Sequence, residues 1–209
     1  MLRIETVESH TLSILNQLME MPELQEFGLV GGTALSLLYG HRMSVDLDLF
    51  SNKSFENSDI IEALRSKFHD GFMLEEKPPR FGIFCFVDNV KVDIVRHPHP
   101  LIRPELNIEG IRMFSTEDIV AMKVQAILGR GKKKDFWDIA ELLSHYSIEE
   151  FVTFHREKYT TQNLFITVPQ AIIYFADADE SEDPISLKEQ NWDDVKTFIN
   201  MKVREYFLK

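Results

Sequence analysis

The sequence predicts an α/β first half followed by a helical second half, and three observations carry that expectation. Ser44-Val45-Asp46-Leu47-Asp48-Leu49-Phe50 and Val90-Lys91-Val92-Asp93-Ile94-Val95 both alternate apolar and polar residues with period two, the mark of a half-buried strand. The apolar step Phe27-Gly28-Leu29-Val30 runs into Gly31-Gly32 and then into a helical run ended by Gly40, a strand-turn-helix unit. From Ser115 onward the apolar spacing is helical throughout.

Taken in order, residues Ile4 to Met21 carry an amphipathic helical pattern. A short strand ends at Val30. Thr33 to Tyr39 reads as a helix stopped by Gly40, a residue suited to the left-handed position after a helix. The strand through Asp46 and Asp48 follows, then a helix at about Asp59 to Phe68. Strands come near Gly71–Glu76, Phe81–Asp88 and Val90–Arg96. Ser115-Thr116-Glu117-Asp118 offers a hydroxyl cap and acids in a first helical turn, and Ile119, Met122, Ala126 and Ile127 continue that helix as an apolar stripe. The basic loop Gly129-Arg130-Gly131-Lys132-Lys133-Lys134 leads into a helix from Asp135 to Ser144, with Phe136, Ile139, Ala140 and Leu143 on its apolar face. Further helices are expected at Ile148–Glu157, Pro169–Phe175 and Trp192–Tyr206, with Pro169 at a first helical position, where its missing N–H costs nothing. The acidic stretch Ala176 to Pro184 reads as a solvated, mobile loop. Its Asp177/Asp179 pair lacks both strand alternation and a glycine turn. Two regions result: 1–110, an α/β core with an N-terminal helix, and 111–209, a helical region packed on it.

The chemistry centres on Asp46 and Asp48. Residues two apart on a strand share a face, so both carboxylates project together while Val45, Leu47 and Leu49 turn to the core. Carboxylates this close repel unless a cation lies between them, and hard oxygen ligands suit Mg²⁺, or Mn²⁺, together with substrate phosphates. Such a pair also occurs on solvated strands and in turns. Gly31-Gly32 at a strand-to-helix junction lets backbone approach a phosphate, with helix N–H groups facing the anion; a plain tight turn is the alternative. Asp93 shares a face with Lys91 and Val95. If its strand lies beside the Asp46/Asp48 strand, Asp93 adds a third carboxylate, as two-metal phosphoryl transfer requires; otherwise it is a strand residue paired with Lys91 or Arg96.

Gly31-Gly32-Thr33-Ala34-Leu35 and Gly40-His41-Arg42-Met43-Ser44-Val45-Asp46-Leu47-Asp48-Leu49-Phe50 resemble the nucleotidyltransferase AbiEii/AbiGii toxin family of the DNA polymerase β-like superfamily. Asp93 matches that superfamily's third acid. Lys123, in Thr116 to Lys123, looks like the family's helical lysine, and Lys133-Lys134-Asp135-Phe136-Trp137-Asp138-Ile139 resembles its last motif. The likeness runs from about Phe27 to Leu143 and is specific through order and spacing. It implies a polymerase β-like nucleotidyltransferase core with a twisted mixed sheet and a helical C-terminal half. It also implies that a nucleoside monophosphate passes from a nucleoside triphosphate to a hydroxyl of a transfer RNA or protein, and that the chain is the toxin of a toxin–antitoxin or phage-defence system with a cognate antitoxin. By resemblance, Asp46, Asp48 and Asp93 hold the metal ions, Asp93 also assists deprotonation, and Lys123 neutralises triphosphate charge. Gly31, Gly32 and Thr33 cradle phosphates, Arg42 and Ser44 lie with them at the nucleotide, and Lys134 and Asp138 lie at the rim. Read from the residues alone, Lys123 is equally a lysine snorkelling along its stripe, and Lys134 with Asp138, four apart, equally a surface ion pair. Two other functions stay open: an inactive nucleotide- or partner-binding module on this fold, and a phosphotransferase moving the γ-phosphate.

Bulk properties narrow the field. The 209 residues are 44% hydrophobic, enough for one sizeable core. No apolar run has membrane length and no signal peptide pattern opens the chain. The single cysteine, Cys85, sits in an apolar strand and permits no internal disulfide, which suits the cytoplasm. His97-Pro98-His99 reads as a loop, not a metal motif. A net charge of −11 leaves nucleic-acid binding to local patches, namely Lys132 to Lys134, Arg42, and Lys77 to Arg80.

Overall fold

In the computed structural model, which describes residues 1–75, 79–129 and 131–209, one seven-stranded mixed sheet carries helices built into a shared core. The strands are β1 (Gly28–Val30), β2 (Leu47–Ser51), β3 (Phe72–Leu74), β4 (Gly82–Val87), β5 (Val90–Arg96), β6 (Leu106–Ile108) and β7 (Ile111–Met113), in the order β3-β4-β5-β2-β1-β7-β6. The helices are α1 (Ser9–Met19), α2 (Gly31–Tyr39), α3 (Asn57–Phe68), α4 (Thr116–Gly129), α5 (Lys133–Leu142), α6 (Ile148–Lys158), α7 (Val168–Ile172) and α8 (Trp192–Phe207). The expected mixed sheet and helical second half are both present.

Three differences have physical causes. The N-terminal helical pattern is broken: Ile4–Thr6 is a single 3₁₀ turn, Val7 bridges to Ser44, and α1 starts only at Ser9. The hairpin β6–β7 went unread because each strand has three residues, too few for a period to register. Left-handed Glu109 and Gly110 make its turn, and Met113 pairs with Leu29, so the sheet continues past position 110. The strand expected to reach Glu76 ends at Leu74; Glu76 itself, Lys77 of the proposed basic patch and Arg130 of the basic loop lie outside the described residues.

Strand periodicity sets the layers. Leu47, Leu49, Val92 and Ile94 are fully buried on one face of the central strands, and Cys85 is a core residue there. Asp48, Phe50 and Asp93 take the other face, towards the helical half, whose α4 packs against α2, α5 and α6. After the acidic turns, residues 185–187 add backbone pairing to the turn after α2: Met43 N–H donates to Ile185 O at 2.9 Å and Leu187 N–H to His41 O at 3.0 Å.

A buried ion pair within the helical half holds the loop after β5. Lys158 at the end of α6 and Asp118 at the start of α4 are both inaccessible and 2.6 Å apart. Asp118 also accepts the Ser115 hydroxyl at 2.6 Å and the backbone N–H groups of Ile102 and Arg103 at 3.0 and 3.3 Å. It therefore clamps the loop after β5 onto α4. Removing one partner of such a pair leaves an uncompensated buried charge and costs about 3–5 kcal/mol. Lys158→Met is expected to lower the urea unfolding midpoint accordingly; a variant as stable as the parent would contradict the clamp.

Candidate active site

The parallel pairing of β2 with β5 sets Asp48 directly opposite Asp93, the adjacency on which the three-carboxylate arrangement depends. Asp46 precedes β2, and here the alternation fails: Val45 is 54% exposed instead of entering the core. The pairing of β2 with β1 ends at Asp48 opposite Val30, and the preceding segment peels off the sheet to be held by other contacts. Ser44 bridges to Val7, and the Thr33 hydroxyl donates to the Asp46 carbonyl while lying 2.9 Å from Ser44 Oγ. Thr33 is itself fully buried, so its side chain works by fixing the Asp46 segment.

The glycine pair is required by close approach. Gly31 opens α2 with φ +71°, and a Cβ there would strike the Asp48 carboxylate. A Cβ on Gly32 would strike the Arg42 guanidinium. Helix α2 thus begins against both the acid and the base of the site, a position only glycine tolerates.

Behind the carboxylates lies a buried ionic cluster. Asp138 Oδ1 accepts Arg42 Nε and His41 Nε2, each at 2.7 Å; its Oδ2 accepts Arg42 Nη2 at 2.9 Å and Lys123 Nζ at 2.6 Å. Lys123 also reaches Asp135 at 3.0 Å, and Asp135 accepts the Lys132 N–H at 3.1 Å, capping α5. Burial disfavours the Asp138 carboxylate, but Arg42, Lys123 and His41 outweigh it and hold its pKa well below the usual range. Burial likewise opposes charge on Lys123, and Asp138 and Asp135 overcome it, raising its pKa. Three expectations change here. Asp138 is no surface partner of Lys134 but a buried organiser, and Lys134 turns the other way to Asp46. Arg42, proposed also for an RNA-facing patch, is buried and engaged by Asp138. Lys123 is neither snorkelling nor free, since its ammonium is paired twice inside the protein. Asp135 and His41 were missed. Asp135 was legible as sharing the Asp138 helix face three residues away; nothing local to His41 marks it.

In front of the cluster is a polar cavity of about 210 Å³, lined by the three aspartates, Gly32, Lys91 and Lys134 among others. Lys134 pairs with Asp46 at 3.1 Å and Lys91 with Asp93 at 3.1 Å. Asp48 has no ion-pair or hydrogen-bond partner among the described residues, and Asp93 Oδ1 is buried without one. Burial, then the charges of Asp93 and Asp46, push the Asp48 carboxyl up to about 6. Burial also raises Asp93, against the pull of Lys91. No three metal-ligating side chains converge into a ready cage among the described residues. The donor chemistry still fits a hard divalent cation: carboxylate oxygens in charge excess, one of them orphaned, with two lysine amines standing where positive charge is needed.

A family model described as nucleotidyl transferase AbiEii toxin, type IV toxin–antitoxin system, matches residues 13–205. The protein aq_aa25 of Aquifex aeolicus is 32% identical over 187 residues, covering 87% of this chain and 88% of that one. Among solved structures, JHP933 of Helicobacter pylori superposes with TM-score 0.57 at 17% identity, covering 95% of this chain and 92% of its own. MenT4, a nucleotidyltransferase toxin of Mycobacterium tuberculosis, gives 0.54 at 13% identity, covering 92% and 85%. The family model and the two structural likenesses agree on a nucleotidyltransferase fold.

Because the folded state raises the Asp48 pKa, it prefers that group protonated. The stability this contributes is present below the ordinary value near 4 and lost as pH rises through about 6. In chelator, Asp48→Asn is therefore expected to stabilise the protein at pH 7.5 by about 3 kcal/mol, at 1.36 kcal/mol per pKa unit, and to do little at pH 4. Equal effects at both pH values in denaturant titrations would remove the repulsion argument. Gly32→Ala, by displacing Arg42 from buried Asp138, is expected to cost about 1–3 kcal/mol; unchanged thermal melting would show that the guanidinium can move freely.

Proposed function

The chain belongs to the AbiEii nucleotidyl transferase toxin family, and from that premise we propose that it transfers a nucleoside monophosphate from a nucleoside triphosphate to a hydroxyl of a transfer RNA or protein, in a divalent-metal-dependent reaction countered by a cognate antitoxin. The observation that carries this reading is the Asp48–Asp93 register pair with Asp46 beside it, three carboxylates presented to one cavity with their charge incompletely neutralised. Asp46, Asp48 and Asp93 would hold Mg²⁺ or Mn²⁺, which when bound would supply stabilisation of the charge that develops in phosphoryl transfer.

The chain's own groups do the rest. Asp93, with a raised pKa and an unpartnered oxygen, accepts the proton of the acceptor hydroxyl. The acceptor oxygen bonds to the α-phosphorus as the bond to the bridging oxygen breaks and pyrophosphate leaves. Gly32 lets the start of α2 approach the β- and γ-phosphates, with Ser44 beside it, while Gly31 opens the helix with no Cβ against Asp48. Lys134, 40% exposed at its side chain and paired only to Asp46 among the described residues, is free to exchange that carboxylate for phosphate. Lys123 stays at the back wall and, with Arg42 and Asp138, keeps the electrostatic field in place, so catalysis is mainly positioning and preorganised charge. Of the basic loop, Lys132 is exposed and Lys133 is held by Asp183 at 2.7 Å. Lys132 is thus left to meet an acceptor.

Incubation with α- and γ-labelled nucleoside triphosphates and cell extract tests the reaction. Label is expected to enter an acceptor from the α position alone; entry from the γ position alone would establish phosphotransfer instead. Asp46→Asn is expected to abolish the transfer. Lys134→Met should weaken nucleotide affinity with melting unchanged, whereas Lys123→Met should lower melting and turnover together, since it strips two buried carboxylates of a partner. The reverse pattern would exchange the roles of the two lysines.

A further inference from the structure

The polar cavity is one of two lobes. On the far side of Asp48 a second cleft of about 290 Å³ shares Asp48, Lys123 and Asp135 with the first but is otherwise different in kind. Phe50, His97 and Tyr159 wall it, Met122 lies along α4, and Gln125 supplies an amide. Phe50 and His97 have ring centroids 5.7 Å apart and His97 and Tyr159 5.9 Å, while Tyr159 Oη lies 3.5 Å from His97 Nε2. Burial pushes the His97 imidazole down to about 3, with Lys158 and His99 adding to the effect, so this wall is uncharged at neutral pH. His155 Nε2 sits 3.1 Å from Gln125 Oε1, anchoring the amide by its oxygen.

We propose that this aromatic cleft is the subsite for the nucleobase of the incoming nucleoside triphosphate; the proposal rests on the function put forward above. The α-phosphate belongs at Asp48, where the lobes meet. The β- and γ-phosphates belong with the lysines of the polar lobe. The nucleoside, joined to the α-phosphate from the opposite side, then extends into the aromatic lobe. That lobe is a poor place for phosphate, because its one cation among the described residues, Lys123, is engaged by two carboxylates. It is a suitable place for a flat, uncharged ring, since aromatic faces stack bases of any sequence. Nor is it the acceptor's entry: Asp93, the proton acceptor, lines the polar lobe only. Gln125 stands at the cleft with its amide nitrogen making no hydrogen bond among the described residues, and it reads an acceptor atom on the base edge.

The test uses the full chain in Mg²⁺ with two probes, inorganic tripolyphosphate and 2-aminopurine riboside triphosphate, whose fluorescence falls on stacking. The unmodified protein is expected to bind both and to quench the second. Phe50→Leu should weaken the nucleotide roughly tenfold and restore its fluorescence, leaving tripolyphosphate affinity unchanged. Met122→Trp, which fills the cleft from the α4 side, should also weaken the nucleotide selectively, and it serves if the first variant fails to fold. Binding without quenching, or nucleotide affinity unchanged in a folded variant, overturns the base subsite while tripolyphosphate binding leaves the proposed function standing. Binding of neither probe by the unmodified protein overturns both.

Discussion

Asp138 is the group on which the arrangement of this site depends. It is a carboxylate with no solvent access, and it persists as an anion only because Arg42, His41 and Lys123 all point at its two oxygens. Each partner arrives from a different place: Arg42 and His41 from the turn after α2, Lys123 from the middle of α4, Asp138 itself from α5. A buried charge is tolerated only when paired and hydrogen-bonded throughout, so these three elements are constrained to one relative placement. The glycine at position 32 fits it, because the Arg42 guanidinium that meets Asp138 lies where a Cβ would be. So does the position of Lys123 between the polar and aromatic lobes.

In front of that neutralised back wall the charges are left unbalanced. Asp46 and Asp93 each borrow a lysine, while Asp48 has neither a lysine nor a hydrogen bond among the described residues and rises to a pKa of about 6. The contrast is a matter of geometry. Asp138 sits where donors converge from the turn after α2 and from α4; Asp48 sits on a strand between two other acids, with Gly31 backbone pressed against it. One carboxylate is held far below its ordinary pKa and the other above it within a single site. That separation divides structural from chemical roles more sharply than burial does, since both are largely removed from water. An acidic chain of net charge −11 accordingly concentrates its local need for positive charge at one cavity.

The helical half is more than an appendage. Residues 185–187 pair with the turn that carries His41 and Arg42, and Asp118 with Lys158 binds α4 and α6 to the loop after β5. That loop carries His97, so the same clamp sets one wall of the aromatic cleft. Family membership and the likeness to JHP933 and MenT4 describe the fold shared with other nucleotidyltransferases. The cleft depends on the identities of Phe50, His97, Met122 and Tyr159 in this chain.

What the sequence determined by itself is what local periodicity and spacing encode. Strand β5 was legible from end to end, and β1, β2, α2 and α5 in outline, because a strand buried on one face must alternate and a helix ended by glycine announces its stop. The acidic pair, Asp93, Gly31-Gly32 and Lys123 were legible as candidates for the same reason, each lying in a motif of fixed order. The tertiary structure alone decided which candidates meet and in what state. Period two placed Val45 with Leu47 and Leu49, but the chain leaves the sheet at residue 46 and turns Val45 to solvent. Spacing of four paired Lys134 with Asp138, yet the helix buries one and exposes the other, so each finds a partner far away in the chain. Periodicity reports which residues share a face; it carries no information on what that face meets, and the energies of buried charges are set almost entirely by what they meet.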